Sequence, residues 1–183
     1  MSKTPRVPST KPIGRARRSV KLFISYSHQN KKWMDCLIPF LDGFEFDDRM
    51  QNRRLQYVQS WNDKNLTAGK QWDDDIKREL DEMDIFVPLV SPQFFSSKYI
   101  QNVEYPRAKA RHAAGEILVM PILLYEMNLR EKCTFLHSFS TFPTTDRWWS
   151  SYPDANDAHR LIDDGLWAAI DEALKRKSIV GIR

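Results

Sequence analysis

The chain has 183 residues, 42% hydrophobic, 28% charged and 12% aromatic, a composition that fits one folded domain and excludes collagen-like, disordered and disulfide-framework classes. Cys36 and Cys133 show no CxxC spacing, which suits a reducing cytoplasm. The net charge of +4 suggests a polyanion partner until it is located. Residues 1–19 hold Lys3, Arg6, Lys11, Arg15, Arg17 and Arg18 and no acid, which leaves 22 basic against 24 acidic residues elsewhere. Bulk charge therefore speaks against nucleic-acid binding.

Residues 1–19 also contain Pro5, Pro8 and Pro12 and read as a disordered basic leader. They lack the apolar segment of a secretory signal. The longest apolar run, Ile117 to Tyr125, is too short to span a bilayer. The expected organisation is a folded domain over 20–177 with a short tail at 178–183, cytoplasmic and without a membrane partner.

Val20 to Ser25 reads as a buried strand closed by the polar loop Ser25-Tyr26-Ser27-His28. A helix follows, with Trp33, Cys36, Leu37 and Phe40 as its apolar stripe, Pro39 as a kink and Gly43 near its end. Leu55 to Trp61 reads as a second, edge strand, and Asn62 to Gly69 as a polar loop. In the next helix Trp72, Ile76, Leu80 and Met83 share a face, and Asp73, Asp74 and Asp75 in the first turn complement the helix dipole. Ile85 to Val90 is a third strand, and Ser91-Pro92 is a strong start for a helix running toward Gly115. Ile117 to Leu124 gives a fourth strand, and a short fifth one is expected between Phe135 and Phe142. A last helix opens at Asp154 and carries Ala158, Leu161, Ile162, Ile170 and Leu174. Alternating strands and helices predict a flavodoxin-like α/β fold, a parallel sheet of about five strands covered by helices on both faces.

In such sheets ligands sit beyond the carboxyl ends of the strands where strand order reverses, here between strands one and three. Ser25 to His28 and Ser91-Pro92 flank that point, and Glu104 lies on the helix after strand three. Pro106 cannot donate to the Asn102 carbonyl, so the backbone beside Glu104 should be irregular. No GxGxxG, GxxxxGK[ST] or GxSxG occurs, and all six glycines are isolated, which removes Gly-loop phosphate cradles and a Ser-hydrolase elbow. The four histidines show no metal spacing, and no metal is expected. His137 and His159 read as surface residues.

Five ordered motifs resemble bacterial Toll/interleukin receptor (TIR) domains. They are Leu22-Phe23-Ile24-Ser25-Tyr26-Ser27-His28, Trp61-Asn62-Asp63 through Gly69 to Trp72, Leu89-Val90-Ser91-Pro92 through Tyr99 to Glu104, Met120-Pro121-Ile122-Leu123, and Trp149 through Asp154. The resemblance implies cleavage of the nicotinamide glycosidic bond of NAD+ as substrate, with linear or cyclic ADP-ribose as product and no permanently bound cofactor. It implies Glu104 as the catalytic carboxylate and Ser25, Tyr26, Trp61, Ser97 and Tyr99 as substrate-binding residues. Tyr26 and Trp61 are equally readable as core or loop anchors, Trp72 reads as core because it shares a stripe with Ile76 and Leu80, and Ser97 is also readable as a local backbone cap. Asp63 and Gly69 read as loop-shaping. Nicotinamide leaves as a neutral pyridine, so one carboxylate can suffice by stabilising the oxocarbenium-like transition state. With an ordinary pKa of about 4.3, Glu104 would be ionised at neutral pH without tuning.

The resemblance further implies self-association through TIR-to-TIR contacts, a separately encoded effector or activator, and a place in bacterial anti-phage signalling. The TIR region fills almost all of this sequence, so no attached sensor is expected. The alternative implied is a non-catalytic interaction module, an adaptor or a mimic of host signalling.

Overall fold

The computed structural model describes residues 18–51, 53–59, 69–144 and 147–180. Its centre is a parallel sheet built from β1 (Arg18–Ser25), β2 (Arg53–Gln59), β3 (Ile85–Val90), β4 (Leu118–Val119) and β5 (Ile122–Leu123). The order is β2-β1-β3-β4, and β5 also pairs with β3. The connections are helical: α1 (Lys31–Gln51) follows β1, α2 (Gly69–Glu82) precedes β3, and α3 (Pro92–Ser96), a π turn (Ile100–Glu104) and α4 (Tyr105–Ala113) follow it. The short helices α5 (Leu129–Lys132) and α6 (Thr134–His137) precede the long C-terminal α7 (Ala155–Val180).

The single expected fourth strand is two pieces. Leu118 and Val119 pair with Ile85 and Phe86, and Ile122 and Leu123 with Leu89 and Val90, so the register is unbroken across the gap. Pro88 stands in that gap on β3 and has no N–H to give the neighbouring strand. The expected fifth strand is reduced to one bridge, Ile122 with Phe142. The Leu123 N–H donates to Phe142 O at 2.7 Å and the Phe142 N–H to Pro121 O at 2.9 Å. Phe142 is seated against α7 at Gly165, where an added Cβ would collide with the ring.

Alternation along β1 divides the core. Val20, Leu22 and Ile24 join Ile85, Val87 and Leu89 of β3 beneath α1 and α7, through Met34, Leu37, Leu41, Ile162, Leu166 and Ile170. Phe23 and Phe86 face the other way, onto Ile76, Leu80 and Met83 of the α2 region and Ala108 of α4. Helices therefore cover both faces. A third cluster, with Val90, Phe94, Ile100, Leu123, Leu129 and Leu136, packs the π turn against α5 and α6.

Several local expectations are corrected. The α1 stripe is rotated: Met34, Leu37 and Leu41 are buried, while Cys36 is exposed. The α1 helix also passes Gly43 and ends at Gln51. Because α2 starts at Gly69, Asp73, Asp74 and Asp75 lie beyond its first turn, where the dipole effect has fallen off. The helix after β3 does not run unbroken to Gly115. His159 is half-buried rather than a surface residue, its ring between Phe40 at 4.6 Å and Trp149 at 5.2 Å.

Candidate active site

The strand order places the ends of β1 and β3 side by side, with Ser25 opposite Pro88. Ser25 is the last residue of β1, and alternation turns its side chain toward the α2 and α4 face, away from Ile24. Beyond the strand ends a polar link joins the segments that follow β1 and β3. The Ser91 hydroxyl donates to Asn30 Oδ1 at 2.6 Å and accepts the Phe94 N–H at 3.0 Å, capping α3. Both Asn30 and Ser91 are buried, and their bond ties the segment after β1 to the end of β3. Sequence reasoning missed Asn30. Its only signal was a position two residues beyond the polar loop that closes strand one.

The segment carrying Glu104 is irregular, as Pro106 predicts. After Ser96 the chain breaks, turns again at Ser97, and forms the π turn, in which the Tyr105 N–H reaches back five residues to Ile100 O. An α register would drive the Pro106 ring against the Asn102 carbonyl. The wider turn avoids that clash, and such turns are uncommon and frequent at functional sites. Glu104 is the last residue of the turn and is only 1% exposed. The Ser25 hydroxyl donates to its Oε2.

Burial pushes the Glu104 carboxyl up to about 8, against the lowering effect of the Ser25 hydrogen bond. The expectation of an ordinary, ionised glutamate is therefore corrected. At neutral pH this conformation holds the group mostly protonated, because ionisation would place an uncompensated charge away from water.

Tyr99 stands immediately before the π turn. Its hydroxyl donates to Asp73 Oδ1 of α2 at 2.8 Å, and Lys77 Nζ reaches Asp73 Oδ2 at 2.6 Å. The two hydrogen bonds, Lys77 first, hold the Asp73 carboxyl below the usual range. Burial, then Asp73, then the nearby Glu104 charge raise the Tyr99 hydroxyl above its ordinary value. Asp73, read from sequence as a helix-dipole residue, is thus part of the Glu104 surroundings.

The other expected site residues are placed as follows. The Ser97 hydroxyl accepts the Ile100 N–H at 3.5 Å, a local backbone bond. Tyr26 is 3% exposed and belongs to the core on the α1 and α7 face, which supports its reading as a core residue over one that stacks substrate. Trp61 and Asp63 lie outside the described residues, as does the Trp72 side chain, and Gly69 opens α2. The structure thus brings together Ser25, Tyr99 and Glu104 of the expected set. Among the described residues no three His, Cys, Asp or Glu side chains are placed to hold a metal ion, and no helix is long and apolar enough to cross a membrane.

Residues 22–162 match the family profile of the TIR domain, well over half of the chain. The chain belongs to the TIR family. It is also similar to Uncharacterized protein y4lF of Sinorhizobium fredii (strain NBRC 101917 / NGR234), with 29% identity over 145 residues, covering 75% of this chain and 39% of that protein. This TIR chain therefore spans well under half the length of that curated relative.

Proposed function

We propose that this TIR protein cleaves NAD+ at its nicotinamide glycosidic bond, releasing nicotinamide and ADP-ribose or its cyclic form. One observation carries the reading: a carboxyl group, Glu104, set on an irregular turn at the point where strand order reverses and fixed there by Ser25. A buried carboxyl perturbed by desolvation at the point where strand order reverses is a functional-site candidate on physical grounds.

The chemistry follows from charge. Nicotinamide in NAD+ carries a positive ring, which beside Glu104 favours the carboxylate and reverses the effect of burial. As the glycosidic bond breaks, its electron pair goes to the ring nitrogen and nicotinamide departs neutral. Positive charge then develops on the ribose, where the Glu104 carboxylate stabilises it. Water adds to the anomeric carbon and loses a proton, giving ADP-ribose; an internal nucleophile in place of water gives the cyclic product. Substrate must reach a group that is closed in this conformation, so turnover requires the crevice to open. Self-association or a separately encoded activator supplies that step in our reading, within a cytoplasmic bacterial defence response.

The closed carboxyl also favours a second reading, in which the protein works only through contacts between TIR domains. Nicotinamide release from NAD+ separates the two, measured at high protein concentration or with a crowding agent, beside Glu104→Gln. Release by wild type and its loss in the variant support the enzyme. Equal release by both removes Glu104 from the chemistry. In the enzyme reading kcat/KM rises with pH up to about 8, as the free protein's Glu104 ionises.

A further inference from the structure

The π turn that carries Glu104 needs restraint at both ends. Reverting it to an α register would rotate the adjoining residues by roughly 100° about the helix axis, one residue's share of a 3.6-residue turn. That rotation carries Glu104 away from Ser25. At the C-terminal end Pro106 opposes it sterically, as described above. The N-terminal end has no proline. There the turn is held by side chains: Gln101 Nε2 donates to Phe94 O at 3.2 Å, and the Tyr99 hydroxyl donates to Asp73 at 2.8 Å. The Tyr99 bond crosses from the turn to α2, between residues 26 apart in sequence. Its acceptor is a carboxylate with its second oxygen on Lys77, and hydrogen bonds to a charged acceptor are stronger than neutral ones. The Tyr99 ring also packs on the cluster of Ile76 and Leu80, so the tether lies along a packed surface.

We infer that Asp73 is a positioning residue: through the Tyr99 hydroxyl it locks the register of the π turn and so holds Glu104 on Ser25. Its kinetic consequence rests on the NAD+ reading, while its structural consequence does not. Asp73 touches neither Glu104 nor the reacting atoms in this account, and acts only through Tyr99.

The test uses the full chain and two readouts. Carbon-13 NMR of the glutamate carboxyls follows the Glu104 titration, assigned by the signal that Glu104→Gln removes. In wild type its midpoint is expected near 8. Asp73→Ala and Tyr99→Phe should each lower that midpoint by about one unit or more as Glu104 leaves its buried seat. Asp73→Asn, which still accepts a hydrogen bond, should restore most of it. Asp75→Ala, at a half-exposed site paired within α2 with Arg78, should leave it unchanged. In NAD+ turnover the first two variants should lower kcat roughly 10- to 100-fold with KM little changed, and the double variant should be no worse than either single one. An unchanged Glu104 midpoint in both Asp73→Ala and Tyr99→Phe overturns the inference, as do kinetic losses that multiply in the double variant. A shifted midpoint in a protein whose wild type releases no nicotinamide, even at high concentration or with a crowding agent, supports the positioning link and counts against the enzyme reading alone.

Discussion

The two faces of the sheet share the same strands and do opposite things with polar groups. On the α1 and α7 face, Val20, Leu22 and Ile24 meet an apolar and aromatic layer. Two buried polar atoms there, Trp149 Nε1 and His159 Nε2, have no hydrogen-bond partner among the described residues, while Trp33 Nε1 donates to the Tyr125 hydroxyl at 3.0 Å. On the α2 and α4 face, Ser25 and Glu104 are partnered with each other, and Tyr99 with Asp73. One face spends its residues on packing and the other on orientation. A single step along β1, from Ile24 to Ser25, passes from the first task to the second.

Substitutions on each face should separate the two tasks. The largest effect is expected for Glu104→Gln, which should lower nicotinamide release on the order of 10²- to 10³-fold, with no loss of melting temperature at pH 8 by calorimetry. Ile24→Ala, one residue away from Ser25 on the packing face, should destabilise the fold by about 2–5 kcal/mol. It should leave turnover per folded molecule near wild type. Chemical denaturation and kinetics on the same samples check both halves. Pro106→Ala should do the converse, letting the π turn relax to an α register. Activity should fall by up to about 10² while stability holds or rises, and amide exchange at residues 100–106 should slow.

The smallest effects, taken per pH unit, lie in pH dependence, and here the faces should differ in sign. Folded Glu104 keeps its proton up to about 8, whereas the unfolded chain releases it near 4.5. The resulting stability is complete below 4.5 and is lost as pH rises through 8, by at most about 1.4 kcal/mol per pH unit. Burial lowers the basicity of His159 from 6.5, against a raising effect from Asp154. The unfolded chain then takes up a proton that the folded one resists, so this contribution is lost as pH falls below 6.5. Melting curves from pH 5 to 9 should show Glu104→Gln flattening the upper slope and His159→Phe the lower one.

How much of this was legible in the sequence follows the range of the interactions. The β3 strand was read to the residue because Asp84 and Ser91-Pro92 bound an apolar run. The irregular backbone beside Glu104 was legible because proline acts on the carbonyl four residues back, a local effect. Ser25 and Glu104 were both singled out. Their hydrogen bond joins residues 79 apart, and the neutral state of the carboxyl depends on what packs over it. Neither has a local signature. Asp73 was misread for a related reason: the dipole argument needed the helix to begin three residues later than Gly69, and the Tyr99 hydroxyl lies on another element. The outward turn of Cys36 shows how a stripe at plausible spacing can be displaced when Met34 and Leu41 offer a better apolar face.

Gly165 ties the far rim of the sheet to the C-terminal helix by what it lacks. The seat of Phe142, and with it the one bridge beside Ile122, exists because no methyl group projects from α7 at that position. Even alanine there would have to displace an aromatic ring. The edge bridge of the sheet is therefore conditional on a hydrogen atom in α7, and a scan of side chains at position 165 should read as a scan of sheet width.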